Sequence, residues 1–211
     1  MSGIMLNVVG RTLGGIPTIG SALGGGYFAG QISTAGNGIA DYNLVVGPVA
    51  SAQNASKQWK TTTTSTTGTT SVIDGPTNSS NMNNASHPAA EFCEALTIGG
   101  FSDWYMPAKN ELEVCYYNLK PTTANNDTSS GTNTNAVPSR GSNYTSGTPT
   151  QTSATDFKDT GAEDFATNYY WSSTESSATN AWIQNFYGGY QGSLGTKTSS
   201  YRVRAVRRVA V

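Results

Sequence analysis

Only a few residues of this 211-residue chain have side chains whose types and spacing could support catalysis or metal binding. The single histidine, His87, could serve a metal site or a Ser-His-Asp triad, but we interpret it as a solvent-exposed residue at a helix start. Cys93 and Cys115 lie on apolar helical stripes, which favours packed thiols over a disulfide or metal ligands. Glu111 and Glu113 are two residues apart on a helix and face different directions, so we expect Glu111 to cap its own helix and Glu113 to face solvent. We therefore predict no enzyme activity, no cofactor and no metal.

The amino-acid composition alone limits the class of protein to which the chain can belong. Gly, Ser, Thr and Asn account for 95 of the 211 residues, whereas Asp, Glu, Lys and Arg account for only 12%. A formal net charge of −1 without a basic patch argues against a nucleic-acid partner, and the lack of an apolar run of about 18 residues argues against membrane insertion. Because 21 residues are aromatic and the net charge is close to zero, we expect a folded, loop-rich and aromatic-cored protein rather than a disordered one.

The glycine-punctuated residues 1–60 predict an attachment region built on a β-hairpin. Residues 26–32 predict one strand, Gly36-Asn37-Gly38 supplies turn residues, and residues 42–49 predict the returning strand. Residues 61–84 consist mostly of Thr, Ser, Gly and Asn, and we name this segment the strap. Its composition predicts a surface loop rather than a buried element.

Two short helices are predicted after the strap. Apolar residues recur at helical spacing over residues 88–96 and again over residues 108–119. Pro107 stands where a proline suits the first turn of the second helix. Residues 101–106, between the helices, predict a short aromatic strand or an extended link.

The remainder of the chain divides into a polar part and an aromatic part. Residues 120–160 are polar and rich in turn residues, and a loop of this length indicates function or an ordered excursion. In residues 201–211, Arg202 and Arg204 alternate with small apolar residues. This alternation predicts a single closing strand with one polar face.

Three motifs occur in order and together carry a family resemblance. They are Gly99-Gly-Phe-Ser-Asp-Trp-Tyr-Met-Pro-Ala-Lys-Asn-Glu-Leu112, Tyr170-Trp-Ser-Ser-Thr-Glu175 and Arg202-Val-Arg-Ala-Val-Arg207. Together they resemble the Lcl C-terminal domain family, a branch of the C-type-lectin-like superfamily. The resemblance covers about residues 85–211, which we assign to one ligand-binding domain.

The resemblance implies an α+β fold, a C-type-lectin-like domain with two short helices, a small antiparallel or mixed sheet and large irregular loops. The superfamily also holds formylglycine-generating-enzyme-like domains, which need a reactive cysteine pair in their carboxy-terminal half. Both cysteines of this chain come earlier and lie in predicted helices, so we do not expect that activity. Six residues are expected to form a structural frame: Trp104, Trp171, Trp182, Phe186, Arg204 and Arg207.

Each part of this frame has a physical role that the residue types predict. Trp104 precedes the proline that starts the second helix, so it can fill the core between helices and sheet. Trp171 begins a Ser-Ser-Thr turn whose hydroxyls can satisfy backbone groups. Trp182 and Phe186 are assigned to the core beneath the following loop. The arginines of the closing strand can donate to loop carbonyls and so order loops that lack a core of their own.

Residues 176–201 are similar to the variable region of proteins diversified by retroelements, such as the major tropism determinant of a phage tail. The alternative is a polar loop with aromatic anchors. Tyrosines spaced by glycine and serine are also the composition of antibody paratopes, which favours a ligand surface independently of any family. We assign that surface to Ser176, Thr179, Ile183, Tyr187, Tyr190, Leu194 and Tyr201. Gly192 and Gly195 are further candidate varied positions.

The resemblance implies a receptor-binding or adhesion protein of a phage virion, in a tail fibre or tail tip. It would recognise a host-surface glycan or protein without chemistry, while residues 1–60 contact other virion proteins and a homotrimer forms. No secretory signal pattern begins the chain, so we expect assembly in the host cytoplasm. The alternative is a capsid-decoration or baseplate protein whose lectin-like domain makes subunit contacts.

Overall fold

A computed structural model describes residues 15–211, which form two five-stranded sheets and four α-helices. The strands are β1 (Ala22–Leu23), β2 (Gly26–Ile32), β3 (Tyr42–Val46), β4 (Gln53–Gln58), β5 (Ala136–Val137), β6 (Tyr169–Glu175), β7 (Asn180–Asn185), β8 (Gln191–Thr196), β9 (Ser200–Arg204) and β10 (Val206–Ala210). The helices are α1 (Val49–Ala52), α2 (Gly75–Ser80), α3 (Pro88–Glu94) and α4 (Lys109–Leu119). The predicted α+β class is confirmed.

The first sheet joins the amino-terminal hairpin to the end of the chain. Its strands run in the order β1-β2-β3-β10, with β5 paired to β2, and every pairing is antiparallel. The predicted hairpin is present as β2 and β3, although β3 ends at Val46, ahead of Gly47 and Pro48. The hairpin assigned to an attachment region therefore shares a sheet with the last strand.

The second sheet is mixed and carries the stretch that the sequence assigned to ligand binding. Its order is β4-β9-β6-β7-β8, with β6 and β9 parallel and the other pairs antiparallel. The single closing strand predicted over residues 201–211 is wrong in one respect, because the chain breaks at Ala205. The Ala205 amide donates to the Ala52 carbonyl at 2.9 Å, so β9 ends in the second sheet and β10 begins in the first.

Helices α3 and α4 confirm the two predicted helices, whereas α1 and α2 were not predicted. Helix α2 lies inside the strap, and its Asn78 and Ser79 are fully buried. Asn78 Nδ2 donates to the Ser71 carbonyl at 2.7 Å, and the Met106 amide donates to Ser79 Oγ at 3.0 Å. The prediction of an unburied strap is therefore wrong here, because short polar side chains bury well when each finds a hydrogen-bond partner.

The core consists of two apolar clusters rich in aromatic side chains. One lies around α4 and includes Tyr116, Phe165 and Phe186, with the Phe165 and Phe186 rings stacked at 4.0 Å. The other includes Trp104 and Trp171 together with strand and α3 residues. Within residues 15–211 no helix has the length and apolar character needed to cross a membrane.

Candidate recognition surface

Strands β7 and β8 form a hairpin, residues 180–196, at one edge of the second sheet. Asn185 closes its turn: its Oδ1 accepts from the amides of Tyr187 at 2.8 Å and Gly188 at 3.2 Å. The Asn185 carbonyl also accepts from the amide of Gly189, whose φ of +80° suits glycine. The conformation of the turn is thus fixed by backbone contacts rather than by the exposed side chains.

The turn is also fastened to the long polar loop beside it. Thr122 Oγ1 donates to the Tyr187 carbonyl at 2.6 Å, and the Asp127 amide donates to the Gly188 carbonyl at 2.7 Å. Gln184 Nε2 donates to the Gly189 carbonyl at 2.8 Å. These bonds occupy main-chain groups, so they hold the backbone of the turn without covering its side chains.

Five of the seven predicted binding residues lie on the outside of this hairpin or just before it. The exposed fraction is 59% for Tyr187, 39% for Tyr190 and 75% for Leu194. Ser176 and Thr179 are also exposed. Residues 176–196 contain no Asp, Glu, Lys or Arg, so the surface is uncharged and displays large apolar or amphipathic groups.

Ile183 and Trp182 exchange the positions that the sequence suggested. Ile183 is only 8% exposed and lies in the apolar cluster of Trp171, so its assignment to the binding surface is wrong. Trp182 is half-buried, and its ring lies against the Lys109 side chain, with Lys109 Nζ 4.4 Å from the ring centroid. Its assignment to the core is therefore wrong. The reason is that β7 is a strand rather than a loop, and neighbouring residues in a strand point to opposite faces.

Tyr201 is separated from the other tyrosines. It lies on β9, with β6 and β7 between it and β8, which is about 14 Å at the usual strand spacing. Its ring packs against Trp171 at 4.7 Å and Tyr169 at 5.6 Å. Tyr201 therefore does not join the surface formed by Tyr187 and Tyr190.

Gly192 and Gly195 let β8 lie close against the core. A Cβ at Gly195 would stand 2.6 Å from the Trp171 ring and 2.7 Å from Ile183, and one at Gly192 would stand 2.8 Å from the Tyr190 ring. A side chain at either position forces its neighbours to move. Gly195 therefore does not suit variation, contrary to the expectation from the sequence, whereas the short contact at Gly192 is with the exposed Tyr190 ring, which can move.

The tryptophans and phenylalanine of the remaining frame are where the sequence placed them. Trp104 is 1% exposed, and Trp171 and Phe186 are fully buried. The indole N–H of Trp104 donates to the Phe101 carbonyl at 3.1 Å, and that of Trp171 donates to the Lys57 carbonyl at 2.8 Å. Their burial and these hydrogen bonds support the structural role expected from the sequence.

The Ser-Ser-Thr segment after Trp171 belongs to β6 and does not form the predicted turn. Its pairing with β7 shifts register between Trp171 and Glu175. The hydroxyls nevertheless bond the backbone as expected: Ser172 Oγ donates to the Trp182 carbonyl at 3.0 Å. Thr174 Oγ1 donates to the Ser71 carbonyl at 2.8 Å, which fastens the strap to the sheet.

The frame arginines order loops, as predicted. Arg204 is 1% exposed and donates to the carbonyls of Gly47 at 2.8 Å and Glu163 at 3.0 Å, while also pairing with the Glu163 carboxylate at 2.9 Å. Arg207 donates to the Gly24 carbonyl at 3.0 Å and pairs with Asp103 at 2.7 Å. Arg204 thus joins the β3–α1 link to the loop at Glu163, and Arg207 joins the glycine run at Gly24 to the loop at Asp103.

The motifs that form this frame are those of a known family. The model of the Lcl C-terminal domain family matches residues 50–207. The chain belongs to the Lcl C-terminal domain family. The C-type-lectin-like interpretation fits this family.

Two further comparisons add little to the family. A comparison with curated proteins gives no match. Among solved structures, the Lcl-type chain is similar to a fimbrial protein from Bacteroides ovatus ATCC 8483, with 18% identity and a TM-score of 0.44. The similarity covers 78% of this chain, which spans 35% of the length of that protein.

The burial of His87 and Glu113 in this Lcl-family chain was not foreseen from the sequence. His87 is 5% exposed, contrary to its predicted exposure, and its ring nitrogens lie 2.9 Å from Thr66 Oγ1 and from Asn84 Oδ1. Burial, together with the charges of Lys60 and Lys197, lowers the pKa of His87 from 6.5 to about 4. The imidazole is therefore a neutral structural group at pH 7.

The two glutamates of α4 differ in how well they were predicted. Glu111 accepts from the Ala108 amide at 2.8 Å, which confirms that it caps its own helix. Glu113 is fully buried rather than solvent-facing, and it pairs with Arg140 and accepts from Tyr144 Oη at 2.7 Å. One feature of the sequence could have indicated a buried partner for Glu113: Arg140 is the single charged residue between residues 128 and 155.

Both cysteines are free, buried thiols, as predicted, and burial raises the pKa of Cys93 and of Cys115. Neither thiol is therefore activated as a nucleophile. Within residues 15–211 no three His, Cys, Asp or Glu side chains come together in a group that could hold a metal ion. What the surface offers chemically is contact area and hydrogen bonds.

Proposed function

We propose that this chain is a receptor-binding or adhesion protein of a phage particle, in a tail fibre or tail tip. The recognition surface is the β7–β8 hairpin, and its target is a molecule on the host surface. Recognition is non-covalent. Membership of the Lcl C-terminal domain family supports this proposal at the level of adhesion.

The observation that carries the proposal is an uncharged hairpin with exposed Tyr187, Tyr190 and Leu194, held rigid by hydrogen bonds to its backbone. Tyrosine gives a large amphipathic contact at low cost in conformational entropy, because it has few rotatable bonds. A rigid display lowers that cost further, since the hydrogen bonds to the turn backbone restrict its conformation before binding. The geometry therefore suits recognition better than it suits a solvated surface.

Residues 1–60 would attach the chain to other virion proteins and support a homotrimer. The first 14 of these residues lie outside the described part of the chain, so this role is proposed from the sequence. Several copies on one particle would raise the apparent affinity of a weak single site through effective concentration. The assembled virion would be its location, after synthesis in the host cytoplasm.

The test is the double variant Tyr187→Ala and Tyr190→Ala, carried by assembled particles. We expect normal particle assembly and at least about a tenfold loss of adsorption to host cells, as for loss of hot-spot aromatics. A matched control is Ile39→Ala with Val72→Ala, since these exposed residues, at 68% and 41%, lie outside the hairpin. Unchanged adsorption of the double variant contradicts the proposal. A block of particle assembly instead indicates the structural alternative, a decoration or baseplate protein.

A finer proposal is that the hairpin is diversified. The encoding genome would then hold, beside a reverse transcriptase, a near-copy of the codons for residues 170–207 that differs only at adenines. The buried positions Ile183 and Gly195 would keep their residue types, while exposed ones such as Tyr187 and Leu194 would vary. Absence of such a near-copy from that genome contradicts diversification and leaves the binding proposal in place.

A further inference from the structure

A small polar cleft adjoins the hairpin on the side of α4. Its volume is about 100 Å³, and it is lined by Lys109, Trp182, Gln191, Asn143 and residues 129–132. Lys109 is the first residue of α4, and Gln191 directly follows Tyr190. The cleft thus brings the start of a helix, the long polar loop and the recognition hairpin to one place.

Three hydrogen-bond donors of this cleft have no acceptor within residues 15–211. They are the Lys109 ammonium, which lies over the Trp182 ring at 4.4 Å, the Trp182 indole N–H and the side-chain amide of Gln191. All three side chains are half-buried. The indoles of the other three tryptophans, by contrast, each donate to a carbonyl at 2.8–3.1 Å.

Two side-chain acceptors at the cleft wall are already engaged. Asn143 Oδ1 accepts from Thr132 Oγ1 at 2.7 Å, and Asp127, behind residues 129 and 130, accepts from Ser129 Oγ at 2.5 Å. An incoming group therefore meets free donors and a positive charge. The complementary chemistry is a group that only accepts hydrogen bonds and carries negative charge, and a carboxylate has both properties.

Lys109 also lacks a counter-charge of its own. Burial lowers the pKa of Lys109, and although Glu113 acts against this shift, that carboxylate is held by Arg140, Asn133 and Tyr144. A half-buried ammonium gains more from an anion than a fully solvated one does, because water screens it less. Among residues 15–211, Lys109 is the one cation that lines the cleft.

The neighbourhood of the cleft favours a protein as the source of the carboxylate. Trp182 lies opposite the Ser193–Leu194 segment, where the β7–β8 pairing shifts register, so the 75%-exposed Leu194 lies across the hairpin from Trp182. An exposed aliphatic side chain gains free energy when an apolar protein surface covers it. An acidic anchor surrounded by apolar contacts matches the anatomy of protein–protein hot spots.

Resting on the function proposed above, we propose that this cleft accepts an aspartate or glutamate side chain of a receptor protein. The carboxylate receives hydrogen bonds from Lys109, Trp182 and Gln191. Leu194, Tyr187 and Tyr190 then cover apolar surface around that anchor. Lys109 supplies the charge recognition that the uncharged hairpin lacks.

The test is an NMR titration of the ¹⁵N-labelled full chain with N-acetyl-L-glutamate N′-methylamide as the probe. We expect the Trp182 indole resonance, assigned with Trp182→Phe, to shift and saturate with a dissociation constant on the order of 10 mM. The uncharged probe N-acetyl-L-glutamine N′-methylamide should give no such shift. In Lys109→Gln the dissociation constant should rise at least about fivefold, because the charge-assisted bond is lost.

Lys57→Gln is the matched control, since Lys57 Nζ also lies over an aromatic ring, that of Phe92, but away from the cleft. It should bind as the unmodified chain does. The indole resonances of Trp59, Trp104 and Trp171 report folding of each variant, because these N–H groups are hydrogen-bonded inside the protein.

Equal binding by Lys109→Gln, or no shift of the Trp182 indole, would overturn the proposal. A response to methyl glucuronoside without one to the glutamate probe would overturn the protein partner in favour of an acidic glycan. The titration uses no host cell, whereas the adsorption assay uses Tyr187 and Tyr190 variants. Failure of the cleft is therefore distinguishable from failure of the proposed function.

Discussion

The strap and the recognition hairpin are built from the same small polar residues, yet they use charge in opposite ways. The strap wraps around buried ammonium groups: Lys60 Nζ donates to the Thr64 and Ser65 carbonyls at 3.1 and 2.8 Å, and Lys197 Nζ donates to the Thr64 carbonyl at 3.0 Å. Lys197 also pairs with Glu175 at 2.5 Å. The hairpin contains no charged residue and turns its large side chains outward.

This difference shows how a loop without an apolar core becomes ordered. A buried ammonium must be surrounded by acceptors, and backbone carbonyls of a polar loop supply them. The long loop after α4 is ordered in the same way, since Lys120 Nζ donates to the Ala124 carbonyl at 2.5 Å and the Pro149 carbonyl at 3.2 Å. Buried charge thus marks the loops that hold the scaffold, and its absence marks the segment that displays side chains.

Removing one partner of the buried Lys197–Glu175 ion pair should cause a large loss of stability. Lys197→Met should lower the free energy of unfolding by about 3–5 kcal/mol, because Glu175 is left buried without its counter-charge. The strap should loosen as well, since the Thr64 carbonyl loses a donor. Urea unfolding followed by tryptophan fluorescence measures the loss.

Lys57→Met is the control, because Lys57 is half-buried and makes no ion pair within residues 15–211. It should change the free energy of unfolding by less than about 1 kcal/mol. Adding Glu175→Gln to Lys197→Met should restore part of the loss, since no charge then remains unpaired. If Lys197→Met and Lys57→Met lowered the free energy of unfolding equally, buried charge would not be what orders the strap. The distinction between the strap and the hairpin would then fail.

A smaller effect is expected from the pH dependence of His87, which lies beside the strap. Its pKa in the folded protein, about 4, is below the unfolded value of 6.5, so its contribution to stability is complete above pH 6.5. That contribution is lost as the pH falls from 6.5 towards 4, because protonation places a third positive charge near Lys60 and Lys197, opposed by Glu175. The stability advantage of the unmodified chain over His87→Gln should shrink by roughly 2 kcal/mol between pH 7 and pH 4.5.

Chemical denaturation of both chains at several pH values measures this difference. Acidic groups common to both chains cancel to first order in the comparison. An advantage that stays constant from pH 7 to pH 4.5 would contradict a buried, neutral His87. Binding by the hairpin should be unaffected over the upper part of this range, since the hairpin itself has no titratable group other than its tyrosines.

Local patterns in the sequence predicted the structural features that depend on interactions between residues close together in the chain. The i, i+3, i+4 spacing predicted α3 and α4, and the motif resemblance predicted the burial of Trp104, Trp171 and Phe186. The paratope-like composition correctly predicted the exposure of Tyr187 and Tyr190. These features depend on neighbours close in sequence or on motifs of high specificity.

Features set by distant parts of the chain could not be predicted in this way. The break at Ala205 depends on a hydrogen bond to Ala52, about 150 residues earlier. The exchange of Ile183 and Trp182 depends on which face of β7 meets the core. Side chains alternate between the two faces of a strand, so their burial cannot be assigned until the segment is recognised as a strand. The burial of the strap needs partners from β6, which no local pattern reveals.

An exposed side chain of the hairpin should contribute little to stability, unlike the buried side chain beside it. Leu194→Asn should change the free energy of unfolding by less than about 0.5 kcal/mol, because its side chain is 75% exposed in the free protein. Ile183→Ala on the neighbouring strand should cost about 2 kcal/mol or more, since that side chain is buried against Trp171. If Leu194→Asn also weakens adsorption while thermal unfolding is unchanged, Leu194 acts through binding alone. A stability loss at Leu194 as large as that at Ile183 would instead make the hairpin part of the scaffold, and the distinction from the strap would fail.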